Sequence, residues 1–284
     1  MTREESSCDN LPMVSREELL EWMGTPLTPR VTERLQRMAY VPDTVLQTLA
    51  SECLNENWGA DLFVLEKYLS VHVGWSVEQS RFTVTDDQLF VSAGWLQSRY
   101  GTPLYLVFER NRNPGRQPLA LVHAGSRISA PQLPIPPDIP EGPHIPRGVE
   151  IVLSHDHILA DNADRVAFLA QTPPVAQICA VSGAIQWALN RSLQLPYWYY
   201  GRMNYVVPLY LTSRENVAMA PDLVAPVEVS EQMLLVRTVF LPHMPYANAR
   251  VAASRHDRLP PWMLDCWNRE AANIQKNKLE DPEA

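Results

Sequence analysis

The chain has no run near the roughly eighteen consecutive apolar residues that a membrane span requires. Residues 1–10 are acidic and polar, the reverse of a signal peptide, so no membrane association and a cytoplasmic location are expected. Cysteine is sparse: Cys8, Cys53, Cys179 and Cys266 lie far apart and form no CxxC pair. That argues against a disulfide framework or a structural zinc site, and a reduced thiol in a helix-like context acts as a small apolar group. GxSxG, Walker A and GxGxxG motifs are all missing, which leaves serine hydrolase, NTPase and dinucleotide-binding readings without support. His155 and His157 are two apart, but no third metal ligand stands out, so neither a metal nor another cofactor is expected. No internal repeat is visible. Lysine is scarce as well, at 3 residues against 21 arginines. Arginine is the better bidentate partner for phosphate or carboxylate, and a GC-rich genome gives the same bias.

What is present is a chain of 284 residues, 46% hydrophobic, enough to bury a sizeable core. The net charge of -8 argues against a protein coated in nucleic acid. It is unevenly placed. Residues 1–66 carry 12 acids and 5 arginines, a balance of -7, whereas residues 187–255 carry 6 arginines and 4 acids, a balance of +2. Basic residues for an anion site should come from the second half.

Residues 1–14 read as a disordered terminus. Ser15 with Glu18 forms a capping-box pattern before Leu19, Leu20, Trp22 and Met23. Asp43 opens a helix through Cys53, and another follows from Asp61 through Phe63, Val64, Tyr68, Val71 and Trp75. The period then changes. Phe82–Val84 and Leu89–Val91 flank Asp86-Asp87 as a hairpin, and Leu104–Phe108 and Leu119–His123 are two further short runs, giving four antiparallel strands. Between Pro131 and Gly148, 7 of 18 residues are proline, which marks an extended connection; its PxxP spacing also suits docking on a protein partner. Beyond it are a strand at 149–153, helices at 154–169 and 175–192, an aromatic loop at 197–200, strands at 205–211 and 233–241, and a closing helix at 257–278. The expected fold is α+β: N-terminal helices on an antiparallel sheet, the proline-rich crossing at 131–148, then helices and strands completing one core. A single domain at 15–262 would precede a C-terminal helix and acidic tail at 263–284.

Candidate site residues come from four places. In the helix at 154–169, Asn162 and Arg165 interrupt the apolar side, where an unpaired polar group costs roughly 2–7 kcal/mol. His157 falls in its first turn, near free amides and the positive dipole end, a place for an anion and for a general acid or base. The plainer reading is a capped helix with an Asp161–Arg165 pair. Tyr246, Asn248 and Arg250 follow the strand at 233–241; if the stretch is extended all three share one face, and if Pro245 opens a helix only Tyr246 and Arg250 do. The alternative is that they close a turn and cap a helix. Trp198, Tyr199 and Arg202 could stack a base or pack in the core. Asn111 ends a strand, where polar groups line pockets or turns.

Several separated stretches are similar to one family: Met38-Ala39-Tyr40-Val41-Pro42-Asp43, Ser92-Ala93-Gly94-Trp95-Leu96, Phe108-Glu109-Arg110-Asn111, His157-Ile158-Leu159-Ala160-Asp161-Asn162 with Arg165, Pro208-Leu209-Tyr210-Leu211 and Tyr246-Ala247-Asn248-Ala249-Arg250. In this order, across residues 35–262, the chain resembles the bacterial family known as domain of unknown function 3825, whose domain is sometimes joined to the RNA-associated OST-HTH (LOTUS) module. Ser92-Ala93-Gly94-Trp95 departs from the family's Asn-Thr-Gly-Leu run, and no LOTUS module is evident. The resemblance implies a shared fold and site and carries no assigned activity.

Donors outnumber acceptors among these residues, which suits an anion, most simply the phosphate of a nucleotide or of RNA. The first expectation is a binding protein holding that ligand through Asn111, Asn162, Arg165, Tyr246, Asn248 and Arg250. The second is a metal-independent phosphoesterase or ribonuclease using His157 as general acid or base. The third is a structural protein whose polar groups are satisfied internally.

Overall fold

The computed structural model describes residues 35–113, 117–159, 163–169, 171–230 and 232–280. The expected terminus at 1–14, the Ser15 capping box, Asp161, Asn162 and the tail at 281–284 lie outside them. The fold is α+β, with helices and two mixed five-stranded sheets. The described residues fall into two compact units: one takes the chain up to Asn55 and from Leu69 to Asp138, the other Glu56–Tyr68 and the chain from Ile139 onward. Each unit has its own sheet.

In the first unit the sheet order is β1-β5-β4-β3-β2. β2 (Phe82–Val84), β3 (Gln88–Gln97), β4 (Pro103–Arg110) and β5 (Leu119–Gly125) pair antiparallel, as their short alternating runs predict. β1 (Ala39–Tyr40) adds a parallel edge beside β5, too short for any sequence period to reveal. Helices α1 (Leu35–Met38) and α2 (Asp43–Glu52) flank β1, and the division between units falls inside α3 (Phe63–Glu78). Ser92, at the departure from the family run, is fully buried and satisfies its hydroxyl on the Gly94 carbonyl at 2.8 Å.

The proline-rich stretch is held within this unit by side chains that reach its carbonyls. Thr83 donates to Gln132 O at 2.9 Å, Arg81 to Pro136 O at 2.6 Å and Trp95 to Pro137 O at 2.9 Å. Gln79 brackets the Asp138 backbone with two further hydrogen bonds, and Arg81 also pairs with the Asp138 carboxylate. A proline segment has few amide donors, so its carbonyls need such partners.

In the second unit, β6 (Glu150–Leu153), β7 (Leu195–Tyr199), β8 (Arg202–Leu209), β9 (Leu223–Val229) and β10 (Met233–Val236) lie in the order β6-β10-β9-β8-β7. Only the β6–β10 pairing is parallel. Period two divides this sheet cleanly. Val207, Leu209, Leu223, Ala225, Val227, Leu234 and Val236 share one face and form a core with Val181, Ala184, Ile185 and Ala188 of α5 (Pro174–Leu189). α5 is thus buried along one side, and Val175 at its start is exposed. Over this core face the connection returns so closely that a side chain at Gly142 would collide with the Tyr205 hydroxyl.

Three expectations change here. The helix at 154–169 is a five-residue helix, α4 (His155–Leu159), and a separate 3-10 stretch, Ala163–Leu169, broken by the non-helical Val166. Its apolar spacing is real, but Ile158 and Val166 reach the core from two pieces. The aromatic loop is a hairpin: Tyr199 pairs with Arg202 across Tyr200 and Gly201, whose φ values of 51° and 71° make a two-residue type I′ turn. The strand expected at 233–241 stops at Val236, after which Phe240 bridges back to Val224. Two last helices, α6 (Tyr246–Val251) and α7 (Pro261–Glu280), complete the unit. Among the described residues no helix is long and apolar enough to cross a membrane.

Candidate functional site

The second face of the second sheet is mixed, with Val206 and Val224 fully buried on it beside polar residues. Strand pairing puts Tyr197 opposite Asn204, Tyr199 opposite Arg202, and Leu235 opposite Glu228, so these six share that face with Pro226 and Arg237. A cavity of about 220 Å³ lies over it. Tyr197 and Asn204 are its buried floor, Leu235, Pro226 and Phe240 line its sides, and Tyr199, His157 and Arg237 are solvent-exposed at its rim. Glu228 and Thr238 complete the wall.

Charge in this wall is organised around Glu228. Arg202 donates Nη2–H to its Oε2 at 2.9 Å, and Arg237 donates Nε–H to its Oε1 at 3.2 Å. The Asn204 amide donates to the carbonyls of Tyr199 and Arg202, both at 3.4 Å, which ties the hairpin end to the cavity floor. Burial, then Tyr200 and Glu228, hold the Tyr199 phenol above its ordinary value of 10.0, so it stays a neutral donor. Burial does the same for Tyr197, partly offset by the Asn248 amide, which donates to its hydroxyl at 2.7 Å.

Of the residues singled out in the sequence, His157 and Tyr199 meet in this cavity. Arg202, Asn248 and Arg165 stand one step behind the wall: Arg202 through Glu228, Asn248 through Tyr197, and Arg165 by donating to Val239 O at 2.8 Å, between the lining residues Thr238 and Phe240. Trp198 alternates to the opposite side of β7 from Tyr199, so the two rings cannot clamp one base. Asn111 belongs to the first unit, where its Oδ1 accepts the Asn113 N–H at 3.0 Å in an Asx turn.

Tyr246 and Arg250 do share one side of α6, opened by Pro245, but they face an internal carboxylate. Arg250 donates Nε–H to Glu56 Oε1 at 2.6 Å and Nη1–H to Ala253 O at 2.8 Å, and it lies 4.5 Å from the Tyr68 ring centroid. Tyr246 donates to the same Glu56 oxygen at 3.0 Å and stacks on Trp267 at 4.8 Å. His256 Nδ1 is 3.6 Å from the other oxygen. Burial disfavours the Arg250 charge, but Glu56 outweighs it and keeps the guanidinium above its ordinary value. With 2% of Arg250's surface exposed, this cluster is closed to an external phosphate. The expected gathering of Arg165 and Arg250 around one anion is not what the structure contains: Arg250 is buried against Glu56, and Arg165 donates one N–H to the Val239 carbonyl.

Glu228, Arg237, Asn204 and Phe240 were not singled out from the sequence, and Tyr197 entered only as part of the aromatic loop at 197–200. A signal was there, since Glu228 is the one charge within the apolar run Leu223–Val229. Reading it needed the register that brings Arg202 and Glu228 together across 26 positions. Comparison of the chain with protein-family models, with curated proteins and with solved structures finds no match.

Proposed function

We propose that the protein binds a nucleotide, free or as a residue of single-stranded RNA, with the base in the cavity of the second sheet. The observation that carries this is a pocket floored by Tyr197 and edged by Tyr199 and Phe240, with the Arg237 guanidinium at its wall and Arg202 behind it, paired to Glu228. Aromatic faces beside arginine suit an unstacked base, and a base–aromatic stack is worth about 1–3 kcal/mol. The size agrees: a cavity of about 150 Å³ accepts benzene, and 220 Å³ leaves room for a bicyclic ring. The resemblance to domain-of-unknown-function family 3825, some of whose members carry an RNA-associated module, supports the same ligand class. The ring stacking expected of Tyr199 is kept and the polar contacts differ, with Glu228 at the cavity wall and Arg250 taken up by Glu56. Calorimetric titration with nucleoside 5′-monophosphates and a short oligoribonucleotide tests the reading. Saturable binding that Tyr199→Ala weakens supports it, and no binding of any of them overturns it.

A second reading is favoured by His157 at the same rim as Arg237, an acid–base group together with a guanidinium that can pair with phosphate. In that reading the protein cleaves a phosphodiester without a metal. His157→Ala then abolishes turnover of an oligoribonucleotide while leaving its affinity nearly unchanged. Absence of turnover in the parent protein leaves binding as the whole function.

A further inference from the structure

We infer that the cavity selects a ring bearing two adjacent N–H donors, which among the common nucleobases means guanine; this rests on the nucleotide reading above and names its ligand.

The determinant is Glu228. An ionised carboxylate has about four lone-pair sites, two on each oxygen. Arg202 occupies one on Oε2 and Arg237 one on Oε1, so each oxygen keeps one acceptor site, and the group lines the cavity. Two parallel N–H groups on neighbouring atoms of a planar edge match two such oxygens in a fork. Guanine presents that edge through N1–H and its 2-amino group. Adenine and cytosine put an unprotonated ring nitrogen beside the amino group, so one carboxylate oxygen would face a lone pair. Uracil offers a single N–H between two carbonyls. A guanidinium or amidine cation has the same pair of donors, but Arg202 and Arg237 beside the carboxylate repel it, whereas the guanine edge is neutral.

The neighbouring groups fit this assignment. Glu228 is held from both sides, so its plane is fixed before the ligand arrives and little side-chain freedom is lost on binding. Tyr199 stands close enough for the Glu228 charge to bear on its phenol, which places a stacking ring next to the fork. A site that hydrogen-bonds two donors also disfavours ligands lacking them, because a ring covering the carboxylate then displaces water from its oxygens without replacing those hydrogen bonds.

The test uses the full chain and calorimetric titration with GMP, IMP, AMP, CMP and UMP. GMP is expected to bind at least about tenfold more tightly than AMP, the discrimination typical of one bidentate pair. IMP keeps N1–H but lacks the amino group, and should fall between them. Glu228→Gln replaces one oxygen with an amide donor and should bring GMP down toward AMP, with circular dichroism confirming the fold. The parent protein's own ranking decides the matter if that variant does not fold. A 5′-GMP that binds as tightly as a guanosine-ended oligoribonucleotide identifies free nucleotide as the source; binding of the oligomer alone identifies RNA. Equal affinity for all five nucleotides overturns the guanine assignment and leaves the nucleotide reading standing, whereas no binding of any nucleotide or oligomer overturns both.

Discussion

Arg250 and Glu56 form an ion pair at 2.6 Å with side chains 2% and 3% exposed, and the Tyr246 hydroxyl donates to the same carboxylate oxygen. Two ions removed from water this far are stable only because each completes the other's hydrogen bonding. Deleting one partner leaves an uncompensated buried charge. Glu56→Ala should therefore destabilise the protein by about 3–5 kcal/mol, whereas the double variant Glu56→Leu with Arg250→Met should recover most of that loss, because an apolar pair of similar volume is often neutral. Urea denaturation of the single and double variants measures both. The double variant also separates roles: it should retain nucleotide affinity, and a loss in a protein that has kept its fold would return Arg250 to the binding site.

The same cluster makes stability depend on alkaline pH. Burial first, and then the Glu56 carboxylate, push the Tyr246 phenol well above its ordinary value of 10.0. The unfolded chain therefore releases this proton at a lower pH than the folded one. The stabilisation is complete below about pH 10 and is lost as the pH rises beyond it, since the native state then binds more protons than the unfolded state. Tyr246→Phe should cost about 0.5–1.5 kcal/mol near neutrality and flatten the decline of stability between pH 10 and 11. Denaturation midpoints across that range decide it; an unchanged slope would mean that Tyr246 ionises no differently when folded.

Periodicity made the class legible, and pairing hid the site. The first sheet's strands were readable because Phe82–Val84, Leu104–Phe108 and Leu119–His123 are short apolar runs bounded by turn residues. The relation of Tyr246 to Arg250 was readable as well, since a four-residue spacing after a proline places both on one side of a helix. What they face was not, because Glu56 lies 194 positions away. Asn248 shows the same limit: its place on α6 is local, but its partner Tyr197 comes from β7. His157 and Tyr199 were singled out for their chemistry, yet only the folded chain shows that they line one cavity, and only strand register shows that Trp198 turns away from it.

That register makes a separable prediction for neighbouring aromatic residues. Tyr199 is at the cavity rim and 45% exposed, so its ring can meet a ligand without rearrangement. Tyr199→Ala should weaken nucleotide binding by about 1–3 kcal/mol, or roughly five- to 150-fold in dissociation constant. Trp198→Ala, one residue earlier on the opposite side of β7, should change affinity less than about twofold. Titration of both variants against the parent checks the pair. Equal losses would show that the ligand engages the hairpin from both sides and that the cavity is not its seat.

The hairpin tip stores strain beside this rim. Tyr200 sits at φ 51° with 83% of its surface exposed, a left-handed conformation that asparagine and glycine adopt far more readily than a bulky aromatic. Tyr200→Asn keeps the type I′ turn with Gly201 and should raise stability by about 1 kcal/mol, or roughly 2–4 °C in thermal midpoint. What tyrosine supplies in return is an edge-on contact with Tyr199, at 4.6 Å between ring centroids and 85° between planes, which limits the swing of the stacking ring. A strained residue beside a binding site persists where its side chain contributes to the site. Tyr200→Asn should therefore stabilise the fold and weaken nucleotide binding in the same variant. A gain in stability with affinity unchanged would make the strain unrelated to the cavity, and no gain in stability would mean that the tyrosine pair offsets the cost of its backbone.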